Sequence, residues 1–99
     1  MSYKKELLKL AEQGDVEAQH DLALSYYVAL FPSNKKAVYW WEKAARQGHV
    51  DAQYYLGSCY LCGKGVKADF EVAKSWFISA ARNGQEDAKK ILERMEVEY

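Results

Sequence analysis

The stretch that decides the fold is Ala52–Gly84, which reads AQYYLGSCYLCGKGVKADFEVAKSWFISAARNG. Two runs with apolar residues at helical spacing flank a turn built on Gly63 and Gly65. Ala52, Leu56 and Tyr60 recur every fourth residue in the first run, and Ala73, Trp76, Phe77 and Ala80 follow the i, i+3, i+4, i+7 spacing of a helix face in the second. Asp69 stands where a helix needs a side-chain acceptor for its first amides, and Gly84 where the next helix ends.

Outward from this stretch the same landmarks return in the same order. Ala11 and Gly14 precede Ala18 and Leu22; Ala45 and Gly48 precede Ala52 and Leu56; Ala81 and Gly84 precede Ala88 and Leu92. The step is 34 residues from Ala18 to Ala52 and 36 from Ala52 to Ala88. Tyr26 matches Tyr60, Ala37 matches Ala73, Trp40 matches Trp76 and Ala44 matches Ala80. A period in this range with helical spacing inside it specifies stacked helix pairs.

The residues Ala52, Leu56, Gly57, Tyr60, Gly63, Gly65, Val66, Asp69, Ala73, Trp76, Ala80, Ala81 and Gly84 resemble the Sel1-like repeat, a branch of the tetratricopeptide-like solenoids. The Gly63-Lys64-Gly65-Val66 turn before Asp69 favours that branch. The resemblance implies an all-α, right-handed α-α superhelix, a helix-pair solenoid of about six helices that serves as a scaffold for protein contacts without catalysis of its own. The first unit departs from the pattern: Ala23 replaces Gly57, and Val28-Ala29-Leu30-Phe31-Pro32-Ser33 replaces the glycine turn and absorbs the two-residue deletion.

The expected organisation is a single domain over 1–99. Residues 1–14 form an N-terminal capping helix, 15–48 a degenerate repeat, 49–84 a full repeat and 85–99 a C-terminal capping helix, where Glu93 and Glu96 replace contact residues. Helices are expected over about 3–13, 16–29, 35–47, 50–62, 70–83 and 86–96. Leu7, Leu10 and Ala11 form the stripe of the first helix, and Phe70 joins the core face of the fifth. Trp40, Trp76, Phe77, Leu22, Leu56, Tyr26 and Tyr60 are expected to make one continuous inner layer. Truncation of Trp40 or Trp76 would then cost about 3–5 kcal/mol. Gly57 is read as room for a neighbouring helix backbone.

Fourteen acidic and fourteen basic side chains cancel, and 49% of residues are apolar. The chain therefore reads as globular, with no basic excess to suggest nucleic acid. No apolar run is long enough to span a bilayer, and the opening residues lead into a charged helix, not a signal segment. Neither nucleic acid nor membrane is expected as a partner, and the cytoplasm is the expected compartment.

Cys59 and Cys62 match C-x-x-C but fall at a helix C-terminus, where the dipole raises a thiol pKa. With His20 and His49 they offer an alternative reading as a small metal- or redox-active protein. Against it, no second thiol pair exists and neither histidine has a catalytic neighbour in sequence. No enzyme activity and no cofactor are expected. His49 aligns with the helix cap Asp15 in the inter-unit loop.

The chain holds eight tyrosines and three tryptophans, and those off the core stripe are the informative ones. In solenoids of this type the first helix of each unit lines the concave side. His20, Leu24 and Tyr27 on the second helix lie two positions, about 200° of rotation, from the core stripe, on a face read as exposed. Tyr54, Ser58 and Leu61 are their counterparts one unit on, Lys90 and Arg94 continue the row, and Glu17 and Asp51 edge it. This mixed aromatic, aliphatic and charged row is the expected concave binding face for a partner peptide or helix. The chain is expected to be a monomer, with self-association through an uncovered end helix as a further alternative.

Overall fold

The computed structural model describes residues 3–99. Six helices and no strands occur among them: α1 (Tyr3–Glu12), α2 (Val16–Tyr27), α3 (Asn34–Arg46), α4 (Val50–Cys62), α5 (Phe70–Arg82) and α6 (Glu86–Met95). Met1 and Ser2, placed in the expected 1–14 capping unit, lie outside the described residues.

The helices begin where the capping residues stand. Asp15, Ser33, His49, Asp69 and Gln85 each accept, through the side chain, the amide three residues on, so that an otherwise unpaired first-turn donor is satisfied. Three of these caps, Asp15, His49 and Gln85, are homologous between units yet chemically unlike. What the position requires is an acceptor, not a charge.

Both hairpins close with the same long-range bond. The Ser33 amide donates to the Tyr26 carbonyl at 3.1 Å, and the Asp69 amide to the Tyr60 carbonyl at 2.9 Å. The two-residue deletion in the first unit is thus taken up inside the turn, without disturbing the residues that end and restart the helices. In the α4–α5 turn Gly63 and Gly65 both adopt positive φ, 73° and 77°. Gly65 also lies against the start of α3: a Cβ there would stand 2.5 Å from the Asn34 carbonyl oxygen.

Each helix packs chiefly against its sequence neighbours, α1 on α2 through to α5 on α6, giving a body of 47 × 25 × 17 Å. Alanines 37, 44, 45, 73, 80 and 81 are buried where helices meet, so backbones approach closely and large rings fill the space beside them. The apolar interior forms two clusters, one from α1–α4 and one from α5 and α6, with Tyr60 packed against both.

The packing expected from the sequence is corrected in three respects. The deep aromatic position of the repeat is Trp41 and its homologue Phe77, both fully buried, whereas Trp76 remains half-buried. Leu10 and Phe70 are 45% and 50% exposed. Leu10 lies on α1, which packs chiefly against α2, and Phe70 occupies the first turn of α5 at the hairpin edge. Gly57 makes room for a side chain and not a backbone, since an added Cβ would stand 3.0 Å from the Phe77 ring.

Candidate protein-binding face

The expected face is carried by α2, α4 and α6, and the structure brings only part of it to the surface. His20 is the correction. It is 8% exposed, and its Nδ1 accepts a hydrogen bond from Trp41 Nε1 at 3.1 Å. An inner helix of a solenoid meets the hairpin before it and the hairpin after it, so a residue off one stripe falls on the other. Neutral His20 therefore carries its proton on Nε2. Its ring stacks on His49 at 4.3 Å between centroids.

The two histidines anchor an aromatic ladder. Tyr55 packs against His20 and stacks nearly parallel on Trp41, at 4.9 Å and 4°. Tyr27 packs on the same indole at 5.3 Å. His49 Nδ1 caps α4 by accepting the Ala52 amide, which leaves its Nε2 facing Glu17 Oε2 at 3.2 Å. Glu17, His49 and Asp51 line a cavity of about 400 Å³ with Val16, Gln47 and Val50. Asp51 also accepts from Gln85 Nε2 at 3.3 Å, which ties α4 to the start of α6.

The remaining row residues lie as follows. Leu24, Tyr27, Tyr54 and Ser58 are half-buried, while Leu61, Lys90 and Arg94 are exposed. Tyr54 leans on Phe77 at 5.9 Å, and the Ser58 hydroxyl donates back to the Tyr54 carbonyl. The Tyr27 hydroxyl accepts from Lys64 Nζ at 3.3 Å. Tyr27 and Tyr54 are thus half-buried rings packed on Trp41 and Phe77, while Leu61 on α4 and Lys90 and Arg94 on α6 are exposed. Rigid rings presented in this way supply contact area at little entropic cost.

Two buried amides escaped the sequence reading. Gln19 Nε2 donates to the Ala11 carbonyl at 3.0 Å, and Gln53 Nε2, one unit on, to the Ala45 carbonyl at 3.1 Å. Gln47 Nε2 donates to Gln19 Oε1, and the Ser79 hydroxyl to Gln53 Oε1, so both ends of each amide are paired. The signal was the dipeptide Ala-Gln repeated at 18–19 and 52–53. A second hollow, of about 500 Å³, lies along α3 between Tyr39, Glu42, Lys43 and Arg46 and the glutamines Gln19 and Gln47. It too was not anticipated.

Cys59 is buried and Cys62 exposed, both as free thiols. Burial pushes the Cys59 thiol up to about 11, so at neutral pH it is not the thiolate that redox or metal chemistry uses. Among the described residues no group of three or more His, Cys, Asp or Glu is placed to hold a metal ion.

Burial, and secondarily the charge of His49, lowers the pKa of His20, while Asp21, Asp51 and Glu17 pull the other way. Above the ordinary value of 6.5 the ring is neutral whether the chain is folded or not. Below 6.5 the unfolded chain takes the proton first, so stability falls until folded His20 also titrates. The melting temperature is expected to drop between pH 7.5 and pH 5. His20→Asn, which keeps an acceptor near Trp41, should flatten that drop; an unaltered slope would exclude His20 as its source.

Comparison with known proteins agrees with this architecture. The sequence pattern of the Sel1 repeat is matched twice, over residues 16–49 and 50–85. A crystal structure of a Sel1 repeat protein from Oxalobacter formigenes superposes with a TM-score of 0.85 at 38% identity, over 89% of this chain and 68% of that one. The structure of c5321, a protective antigen of uropathogenic Escherichia coli with an SLR fold, gives 0.87 at 32% identity, over 96% of this chain and 21% of the other. Among curated proteins, chitin synthase regulatory factor 3 of Schizosaccharomyces pombe is 39% identical over 89 residues, which is 86% of this chain. The chain spans only 10% of that relative's length.

Proposed function

The chain belongs to the Sel1 repeat family, and from that premise we propose that it is a protein–protein interaction scaffold whose α2–α4–α6 side receives a partner's peptide or helix. The observation that carries this reading is the row of supported rings, Tyr27 and Tyr54, beside exposed Leu61, Lys90 and Arg94. The rings provide apolar anchors, and the two cations on α6 select an acidic group on the partner. Glu17 and Asp51 edge the same side and disfavour a second acidic group there. Residues 1–99 act in this reading as one domain, two full helix pairs between the outer helices α1 and α6. A relative whose name marks it as a regulatory factor fits an adaptor role better than a catalytic one.

The test uses residues that the core does not need. Leu61, Lys90 and Arg94 are all exposed, so Leu61→Glu with Lys90→Glu and Arg94→Glu should leave the helical circular-dichroism signal intact. Affinity for a partner captured from the host is expected to fall more than about tenfold, the scale of losing one binding hot spot. The pair Tyr27→Ala and Tyr54→Ala should weaken binding as well, though both also strip packing from Trp41 and Phe77. Undiminished affinity in the charge-reversed variant would remove this face from the interaction.

A further inference from the structure

The turn between α2 and α3 places Val28, Leu30 and Phe31 in water, at 72%, 88% and 87% exposure. The fold does not need them there. The hairpin is closed by the Ser33 amide on the Tyr26 carbonyl, and the second hairpin makes the equivalent bond with no large apolar side chain at the tip of its turn except half-buried Val66. Three adjacent large apolar groups with no packing role mark a contact surface.

A collar of cations surrounds the tip. Lys4 Nζ lies 4.0 Å and Lys36 Nζ 5.4 Å from the centre of the Tyr26 ring, and Lys64 Nζ 5.5 Å from that of Tyr27, the two residues that lead into the turn. Lys35 is exposed beside Lys36, and Lys67 is exposed on the neighbouring turn, which Gly65 holds against Asn34. On this edge Asp69 is occupied as the cap of α5, Glu71 pairs with Lys74, and Glu6 stands in the first turn of α1. The opposite edge, where α2, α4 and α6 begin, carries Asp15, Glu17, Asp51, Glu86 and Asp87 together with Arg46 and Arg82 at the ends of α3 and α5. A chain of zero formal charge thus gathers lysines around its apolar tip.

We propose that this edge docks on the surface of an anionic phospholipid bilayer, with Leu30 and Phe31 below the headgroups and the lysine collar on their phosphates. Apolar side chains that protrude from a turn suit a bilayer, which deforms around them, better than a protein partner, which would need a matching hollow. The lysines around the tip favour approach of this side to a negative surface. The expectation that no membrane is a partner rested on the absence of a spanning run. No helix among the described residues is long and apolar enough to cross, and a peripheral contact requires none.

The full chain should cosediment with vesicles of phosphatidylcholine plus phosphatidylserine, should ignore phosphatidylcholine alone, and should be released by added salt. Leu30→Asp with Phe31→Asp, and separately Lys35→Glu with Lys36→Glu, should each lower the partition coefficient by about tenfold or more, with the helical signal unchanged. Failure to bind either vesicle, equal binding to both, or indifference to both pairs of substitutions would overturn the proposal. So would a dimer in sedimentation that the Asp pair dissociates without any vesicle binding, which would assign the tip to a second copy of the chain.

Discussion

Replacing Trp41 by alanine is expected to destabilise the chain by about 3–5 kcal/mol, the range for emptying a fully buried aromatic site. The indole is completely buried, stacks on Tyr55, supports Tyr27 and donates to His20. Its loss therefore opens a cavity, strands a buried acceptor and takes away the support of Tyr27 on the candidate binding face. A domain of this size has about 5–15 kcal/mol in all. Each kcal/mol moves its melting point by roughly 4–8 °C, so thermal denaturation should register a fall of at least about 12 °C. Trp41→Phe keeps a ring but leaves His20 Nδ1 without its donor, at a cost of about 1–3 kcal/mol. Trp76→Ala, at a site already half in water, should cost less than Trp41→Ala. The reverse ranking would mean that the deep position of the repeat has been assigned wrongly.

Gly65→Ala is the second large effect, expected at about 2–4 kcal/mol from left-handed strain and overpacking combined. At φ 77° a Cβ is disfavoured, and here it would also stand 2.5 Å from the Asn34 oxygen and 2.6 Å from its carbon. Neither atom is the end of a flexible side chain, so one hairpin must shift against the other. Gly14→Ala and Gly48→Ala separate the two causes. Both glycines have positive φ, and neither would bring a Cβ within 4 Å of another atom. Chemical denaturation should therefore place Gly65→Ala clearly below both controls. Three equal losses would show that only backbone strain counts and that the turn does not bear on α3.

The helices were legible because two independent signals agreed. The recurrence of Ala18, Ala52 and Ala88 set the period, and the capping residues set the starts, so the observed ends fall within two residues of those expected. Depth was harder to read. Trp40 and Trp41 are adjacent, and each is matched by an aromatic residue 36 positions on, Trp76 and Phe77, so neither composition nor period tells which pair is fully buried. His20 was misread because a single core stripe was assigned to a helix that has two covered sides. Tyr55, Gln19 and Gln53 were missed for the same reason. Glu17 meets His49 only because successive hairpins stack, a proximity that no local spacing announces.

The paired glutamines carry a geometric consequence. Each spends its NH2 on a carbonyl of the preceding helix and its oxygen on a donor from the following one, so three successive rods are clipped together at a single point. Such a clip tolerates little change in the angle at which one rod crosses the next. The curvature of the coil is in this way written into amide chemistry at two fixed rungs, and each added rung of the same make would advance the spiral by the same increment.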